Sequence, residues 1–117
     1  MVRAATLDPR HAPARREWAR QLAARGDTAG ARDQLRKAVE LQPSLVEAHH
    51  ELARLAATAH DWPAAVIALK AVVAWDPANV RARRELAQAL EASGEREEAA
   101  RERAAARKLG AKPAGVR

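Results

Sequence analysis

The sequence predicts an all-α fold built from repeated helix pairs, and three observations support this. A proline recurs every 34 residues, at Pro9, Pro43 and Pro77, and each closes a similar phrase. Between these prolines apolar residues step by three and four, which is the spacing of one helix face. Short breaks divide each row of 34 residues into two helices. A period of this length is typical of a helix-turn-helix unit that buries its apolar face against a neighbouring unit.

Three rows, 12–45, 46–79 and 80–113, repeat the same residue types in the same columns, although the third row is irregular at its end. The third and eighth columns hold alanine, the sixth holds glutamate and the seventh is large and apolar. Alanine has only a methyl side chain, so these columns let two helices approach closely in every unit. The residues of these columns are Ala14, Ala48, Ala82, Ala19, Ala53, Ala87, Glu17, Glu51, Glu85, Trp18, Leu52 and Leu86.

The turn inside each row has a residue that tolerates a left-handed backbone. Gly26 and Gly94 stand at this point in rows one and three, and His60 stands there in row two. Glycine adopts positive φ without steric cost, and histidine is one of the few other residues enriched there. The sequence therefore predicts the same turn in all three rows.

Capping residues set the helix boundaries. Asp27 or Thr28, and Asp61, are candidate N-caps, and Ser44 with Glu47 has the spacing of a capping box. We expect helices at about 12–25, 28–41, 46–59, 62–75, 80–93 and 96–109.

The rows resemble the tetratricopeptide repeat family over about residues 12–110. This resemblance implies a right-handed α-α superhelix, a helical-repeat solenoid of three stacked antiparallel helix pairs, in which the first helix of each pair lines a concave groove. The sequence departs from the family at His60, which replaces the usual glycine, at its mostly non-aromatic columns, and at Gly110, where the closing proline is missing. The matching residues are Trp18, Ala19, Leu22, Gly26, Ala31, Leu35, Ala38 and Pro43 in row one; Leu52, Ala53, Ala65, Leu69 and Pro77 in row two; and Leu86, Ala87, Leu90, Gly94, Ala99 and Ala106 in row three.

Both ends of the sequence depart from the full repeat. Residues 1–11 match the end of a row, so we interpret them as the remnant of a preceding repeat's second helix in a piece of a longer protein. A flexible N-terminus is the alternative. Near the other end, Arg103 and Arg107 replace leucine and valine of the earlier rows, which predicts a polar cap that closes the array. We expect 111–117 to be a disordered tail.

Composition excludes several classes of site. The 117 residues include no cysteine, which excludes disulfides and thiolate metal sites. No apolar run approaches the roughly 20 residues that span a bilayer, and no secretory segment follows Met1. The sequence therefore predicts a soluble protein, cytoplasmic by default. The compartment stays open, because a fragment would lack its targeting segment.

No pattern for catalysis or metal binding is complete. His49 and His50 precede Glu51, but a zinc helix needs two histidines four positions apart, and Arg54 occupies the second place. Adjacent residues on a helix point about 100° apart, so the two histidines do not readily share an ion. Glycine-rich phosphate loops and nucleophile elbows are absent. We expect no enzymatic activity, cofactor or metal.

The groove that the resemblance implies is basic, since its columns hold five arginines against two glutamates. An arginine fork binds a carboxylate through two hydrogen bonds, so we expect a protein partner that presents an acidic peptide segment or a free C-terminus. Two asparagines of the family's carboxylate clamp are replaced by Arg20 and Glu51. The predicted partner-binding residues are Arg16, Arg20, His50, Arg54, Arg81, Arg84 and Gln88.

Three alternatives remain open at this point. The arginines could be solvated or could pair within the chain, with Glu17, Glu51 and Glu85. The chain could instead self-associate by stacking its exposed repeat faces. Nucleic-acid binding is less favoured, because the net charge of +6 lies towards the two ends of the sequence and glutamates interleave with the arginines.

Overall fold

The computed structural model describes the backbone of residues 11–116 and the side chains of residues 11–110. Within these limits the chain forms six helices and no strand. They are α1 (Ala12–Ala24), α2 (Thr28–Leu41), α3 (Val46–Thr58), α4 (Trp62–Trp75), α5 (Val80–Ala92) and α6 (Arg96–Val116).

The predicted all-α repeat fold is confirmed. All six helices begin at the expected residues, and the first five end within one residue of the expected positions. The closest packing joins α1 with α2, α3 with α4 and α5 with α6, and each pair also contacts the next one. The interpretation of 1–11 as the remnant of a repeat concerns residues that, except for His11, lie outside the described part of the chain.

Small side chains fill most of the core. The alanines of the third and eighth columns are all buried, and the largest fully buried side chains are only leucines and a valine. Buried residues form two clusters, one centred on the first pair and its contact with α3, the other on the second and third pairs. Leu52 packs against both clusters, so the core runs from one repeat into the next. Each pair is therefore stabilised by its neighbours.

The three turns share the predicted left-handed residue. Gly26 and Gly94 have φ values of 88° and 89°, and His60 has a φ of 59°. A non-glycine residue in this region costs roughly 1–2 kcal/mol. The ring centroids of His60 and Trp62 lie 5.8 Å apart, so the imidazole lies beside the first residue of α4.

Side chains cap most of the described helices. Asp27 accepts a hydrogen bond from the backbone N–H of Gly30 at 2.9 Å, and Asp61 accepts one from Ala64 at 3.4 Å, as predicted. His11 and Asn79 cap α1 and α5 in the same way, at 3.1 and 3.0 Å. These two caps were not predicted.

The predicted capping box at Ser44 is wrong. Leu45 is the N-cap of α3, and no side chain accepts a hydrogen bond there. Ser44 lies one residue too early for its hydroxyl to serve the first turn, since a capping side chain acts from the N-cap position itself.

The last helix is longer than expected. We expected α6 to end near 109 and 111–117 to be disordered, but the helix continues to Val116. A glycine ends a helix when it adopts a left-handed backbone. Gly110 does not have positive φ, so the helix passes through it. The expected tail is therefore corrected for 111–116, and Arg117 lies outside the described residues.

A salt bridge joins the first helix pair to the turn of the second. Arg32 of α2 donates to Asp61 with an Nη2–Oδ2 distance of 2.7 Å. The hydrogen bond from Arg32, with smaller help from the backbone N–H of Ala64, holds the pKa of Asp61 below its ordinary value of 3.8. The ionised carboxylate of Asp61 therefore both caps α4 and connects two repeats.

The left-handed turns predict opposite effects of two substitutions. We expect His60→Gly to raise the unfolding free energy by about 0.5–1 kcal/mol, since the steric penalty it removes exceeds the chain entropy it adds to the unfolded state. Gly94→Ala should lower it by about 1 kcal/mol through the backbone alone, because no atom lies within 4 Å of the added Cβ. Urea unfolding measures both changes. Equal stability of the wild type and Gly94→Ala would contradict the argument.

The salt bridge of Asp61 predicts a pH dependence. Asp61→Asn keeps an oxygen for the helix cap but removes the charge, so the wild type should be more stable than the variant near neutral pH. This advantage should be complete above the unfolded pKa of about 3.8 and decline as the pH falls through the lower folded pKa. Thermal midpoints of both proteins from about pH 6 to pH 2.5 measure it. A difference that stays constant across this range would rule out the charged interaction.

Candidate partner-binding groove

Three depressions follow one another along α1, α3 and α5. The first and second share Arg54, and the second and third share Gln88, so the three depressions adjoin one another, and we refer to them together as the groove. The first is lined by Ala19, Arg20, Ala23, Ala24, Leu35, Glu51, Arg54 and Leu55. The second is lined by His50, Ala53, Arg54, Ala57, Trp62, Ala65, Leu69, Glu85, Gln88 and Ala89. The third is lined by Arg84, Gln88, Glu91, Arg103, Ala106 and Arg107.

The depressions are one feature repeated with the period of the sequence. Arg20, Arg54 and Gln88 occupy the ninth column of their rows and border successive depressions. Glu51 and Glu85 occupy the sixth column and lie in the first and second depressions. The repeated sequence therefore places one ninth-column residue at each step along the groove.

Polar side-chain contacts cross the two junctions between neighbouring repeats. Arg16 donates to Glu51 through both arms of its fork, with Nε–Oε1 and Nη2–Oε2 distances of 3.1 and 2.9 Å. His50 Nε2 lies 2.8 Å from Glu85 Oε1. Both pairs join a fifth-column residue to the glutamate 35 positions later. We call Arg16–Glu51 and His50–Glu85 the junction pairs.

The junction pairs divide the predicted partner-binding residues into two groups. Arg16 and His50 belong to these pairs, and Arg81 contacts Glu85 as well, with an Nε–Oε2 distance of 3.2 Å. The side chain of Arg16 is only 27% exposed, so its fork is largely committed to Glu51. Pairing within the chain thus involves Arg16, His50 and Arg81, and of these Arg81 remains 71% exposed.

The other four residues keep their polar groups available. Arg20 contacts Glu17 at 3.6 Å, and both side chains are more than half exposed, so this pair is weak. The side chains of Arg54, Arg84 and Gln88 have no hydrogen-bond or ion-pair partner among the described residues. All four residues line the groove.

Two polar side chains of the fourth column bind backbone carbonyl groups of the preceding loop. His49 Nε2 lies 2.8 Å from the carbonyl of Pro43, and Arg83 donates to the carbonyl of Pro77 at 2.9 Å. Arg83 also binds Glu102 at 3.0 Å. Residue 49 and residue 83 each follow a repeated proline by six positions, so the repeat itself was a signal for this role. These side chains hold the loops before α3 and α5 and lie outside the groove.

The described residues contain no group of three or more histidines, aspartates or glutamates placed to hold a metal ion. Among the same residues, no helix combines the length and apolar character needed to cross a membrane. The groove itself is lined by arginines such as Arg54 and Arg84 and by apolar side chains such as Ala53 and Leu69.

Comparisons with known proteins agree with this fold. The tetratricopeptide repeat family model matches residues 12–55. No protein of curated function matches the sequence. Among solved structures, a crystal structure of MamA has a TM-score of 0.84 at 22% identity, and the match covers 95% of this chain and 65% of that one.

Two further structures have the same fold. Residues 41 to the end of MamA from Desulfovibrio magneticus RS-1 match with a TM-score of 0.78 and 24% identity, over 90% of this chain and 59% of that one. YrrB, described as a TPR protein with an unusual peptide-binding site, matches with a TM-score of 0.72 and 20% identity, over 85% of this chain and 51% of that one. The present chain thus spans less than two thirds of each of these structures. The family match is confined to residues 12–55, and the described helices have the same fold as these solved structures.

Proposed function

We propose that this chain is a protein–protein interaction module whose groove binds an acidic segment or the C-terminus of a protein partner. Tetratricopeptide repeats are protein-binding modules, which supports the general class. The main support for an acidic ligand is the difference between the groove residues that contact a carboxylate within the chain and those that do not. Arg16, His50 and Arg81 have carboxylate partners within the chain, whereas Arg54 and Arg84 have none among the described residues.

Guanidinium groups in this setting favour a carboxylate ligand. Each presents five N–H donors in a planar fork, which matches the two oxygens of a carboxylate. Arg20 and Arg54 border the first depression from α1 and α3, so an acidic side chain placed there would contact donors from two repeats. The internal pair between Arg16 and Glu51 shows the same chemistry on the same surface.

Apolar side chains beside the arginines extend the recognition surface. Ala53, Ala57 and Leu69 line the second depression next to Arg54, and Trp62 closes one side of it. Binding sites of this kind combine apolar walls with a few polar groups that fix orientation. A segment that carries both acidic and apolar residues therefore suits this groove better than a uniformly charged one. YrrB, which has this fold, is described as binding peptides, which is consistent with the proposal.

Self-association is the second candidate, and one exposed side chain favours it. Ile67 of α4 is 71% exposed and borders an apolar depression between α2 and α4, with Val39, Ala64 and Ala68 nearby. An exposed patch of this kind is a common feature of interfaces. Stacking through it would leave the groove open, so the two candidates are separable.

The groove proposal predicts a location-specific effect of charge reversal. We expect Arg20→Glu combined with Arg54→Glu to weaken binding of a fluorescein-labelled peptide of alternating glutamate and leucine by at least about tenfold, because two donors become repulsive charges. Fluorescence anisotropy at about 0.15 M salt measures the affinity. A peptide of alternating lysine and leucine should not bind the wild type.

The matched control changes the same total charge elsewhere. Arg96 and Arg101 are exposed on α6 and line none of the three depressions. Reversing both of them should leave the affinity within about twofold of the wild type, since rim and remote charges act weakly at this salt concentration. Equal losses of peptide affinity in the two double variants would contradict the groove proposal and indicate non-specific electrostatic attraction. If the Arg20 and Arg54 variant lost affinity for a single-stranded DNA probe by the same factor as for the peptide, the attraction would again be non-specific.

Self-association predicts a different pattern. Light scattering should show a mass that rises with concentration for the wild type, and Ile67→Lys should abolish this rise while leaving peptide binding unchanged, because a buried lysine would lack a partner. Arg101→Lys is the control. Arg101 occupies the same column as Ile67 in the next row, and its replacement by lysine does not change the charge. A monomeric wild type at millimolar concentration would exclude this candidate.

A further inference from the structure

The junction between the first two rows has an open, largely apolar depression between α2 and α4. Its volume is about 360 Å³, and it shares no lining residue with the groove. We call it the α2–α4 trough. It is lined by Val39, Leu52, Ala64, Ile67, Ala68 and Ala71, together with the polar residues Arg32, Arg36, Glu40 and His49.

The next junction is closed by a salt bridge in the same columns. Lys70 of α4 binds Glu98 of α6 with an Nζ–Oε2 distance of 3.1 Å. The corresponding residues of the preceding junction are Arg36 and Ala64. Alanine has no carboxylate, so the cation of α2 has no acceptor at this position on α4.

A second polar pair is missing from the trough. In the third row Arg83 binds Glu102 at 3.0 Å, which joins the fourth column to the twenty-third. The same columns of the second row hold His49 and Ala68, and both line the trough. Two carboxylates that cover one junction are thus alanines at the other. Both junctions lie within the described residues, so the difference is a property of the rows themselves.

The α4 wall of the trough is an exposed apolar stripe. Ala64, Ile67, Ala71 and Trp75 follow one another at steps of three or four, so they share one face of the helix. Ile67 is 71% exposed and Trp75 is 55% exposed. Lys70 is the one charged residue of α4. A helix with polar surroundings on its outer side would not need such a stripe, which is typical of a face that packs against another element.

The walls of the trough favour a helix as its occupant. Both walls are helices, whose backbone N–H and C=O groups are already paired internally. An extended segment would therefore lay its own unpaired backbone groups against an apolar floor, which is costly. A helix satisfies its backbone internally and presents apolar side chains in a stripe. The stretch from Ala64 to Trp75 is about 16 Å long at 1.5 Å per residue, which matches a helix of about three turns.

The α2 edge of the trough carries charges of both signs. Arg36 and Glu40 lie one helical turn apart, and neither forms a salt bridge or hydrogen bond among the described residues. A helix with a carboxylate opposite Arg36 and a cation one turn away complements this edge. A second copy of the chain fits less well, because its most apolar helix, α4, contains no carboxylate.

We propose that the α2–α4 trough binds an amphipathic helix of a partner protein. Apolar residues of this helix contact Ile67 and Ala71 and occupy the place that Glu98 and Glu102 cover at the next junction. A carboxylate and a cation on its edge pair with Arg36 and Glu40. The trough is separate from the groove, so this inference goes beyond the proposed function and does not depend on it.

The first experiment places a helical probe by NMR. Ile67 is the only isoleucine of the sequence, so its δ-methyl resonance needs no further assignment. The probe is a chemically cross-linked helix of about three turns, with leucines at every third or fourth position and a glutamate and a lysine one turn apart on one edge. We expect the Ile67 methyl resonance to shift and saturate. An equal shift with a cross-linked helix of the same composition but scrambled leucines would overturn the trough.

The second experiment closes the trough. Ala64→Glu supplies Arg36 with the acceptor that Glu98 provides for Lys70, and it should weaken probe binding at least about tenfold, because the occupant would then displace an internal ion pair. Ala104→Glu is the control, since Ala104 is exposed on α6 and does not line the trough. Fluorescence anisotropy of the labelled probe measures both, and circular dichroism verifies the helices. Equal affinities of the two variants would contradict the assignment.

An independent variant covers the case in which Ala64→Glu disturbs the fold. Ile67 is exposed, so Ile67→Lys leaves the core intact while placing a charge on the apolar stripe. It should also weaken the probe at least about tenfold, whereas Ala104→Lys should leave the affinity unchanged. Retained affinity in Ile67→Lys would count against the trough whatever the result for Ala64→Glu.

A charge swap tests the α2 edge. Arg36→Glu should weaken the probe about threefold to fivefold, the range of an exposed ion pair, and a probe with its glutamate and lysine exchanged should lose less or bind better. Lys37→Glu is the control, because Lys37 is the adjacent residue, contacts Asp33 and does not line the trough. If Arg36→Glu and Lys37→Glu respond alike to both probes, the charge assignment is wrong.

The outcomes separate this inference from the proposed function and from self-association. Reversal of Arg20 and Arg54 should leave the helical probe unaffected, and a probe that fails to bind the wild type overturns the trough while the groove proposal stands. An Ile67 methyl shift that follows protein concentration without any probe would assign the trough to a second copy and overturn the partner helix. A comparable Ile67 shift with the extended glutamate–leucine peptide would overturn the requirement for a helix.

Discussion

Close packing between neighbouring helix pairs is the constraint on which the whole structure depends. A single pair of these short helices exposes too much apolar surface to be stable alone, so each must lie against another. Alanine in the third and eighth columns permits the necessary approach, and these alanines are buried in every row. Because the core consists mostly of methyl groups and a few leucines, each contact contributes little, and stability depends on repeating the contact along the array.

The same repetition governs the polar surface. Stacking one pair on the next brings the glutamate of the sixth column beside the fifth-column residue of the preceding row, which produces the pairs Arg16–Glu51 and His50–Glu85. Side-chain pairs near the surface contribute roughly 1 kcal/mol or less each, so these partly buried pairs do not by themselves account for the fold. Their larger consequence is positional, because they hold the side chains of Arg16 and His50 against glutamates of the next repeat.

Most of the fold follows from the sequence because its signals are local. Helix starts depend on spacing and capping residues, and the turn at His60 depends on a residue type that tolerates positive φ. Which arginines remain available could not be predicted in the same way, since it depends on contacts between residues 35 positions apart. Column analysis nevertheless contains the signal: a fifth-column cation is paired when the following row supplies a sixth-column glutamate. The continuation of α6 through Gly110 had no comparable signal, because glycine is compatible with both outcomes.

A repeated column therefore does not have a single function. Arg16 and Arg84 occupy equivalent positions, yet the first is bound to Glu51 and the second has no carboxylate partner among the described residues. The partner of Arg16 comes from the next row, where Glu51 occupies the sixth column. In a stack of this kind, the chemistry of a groove position is set by its neighbour one repeat further along.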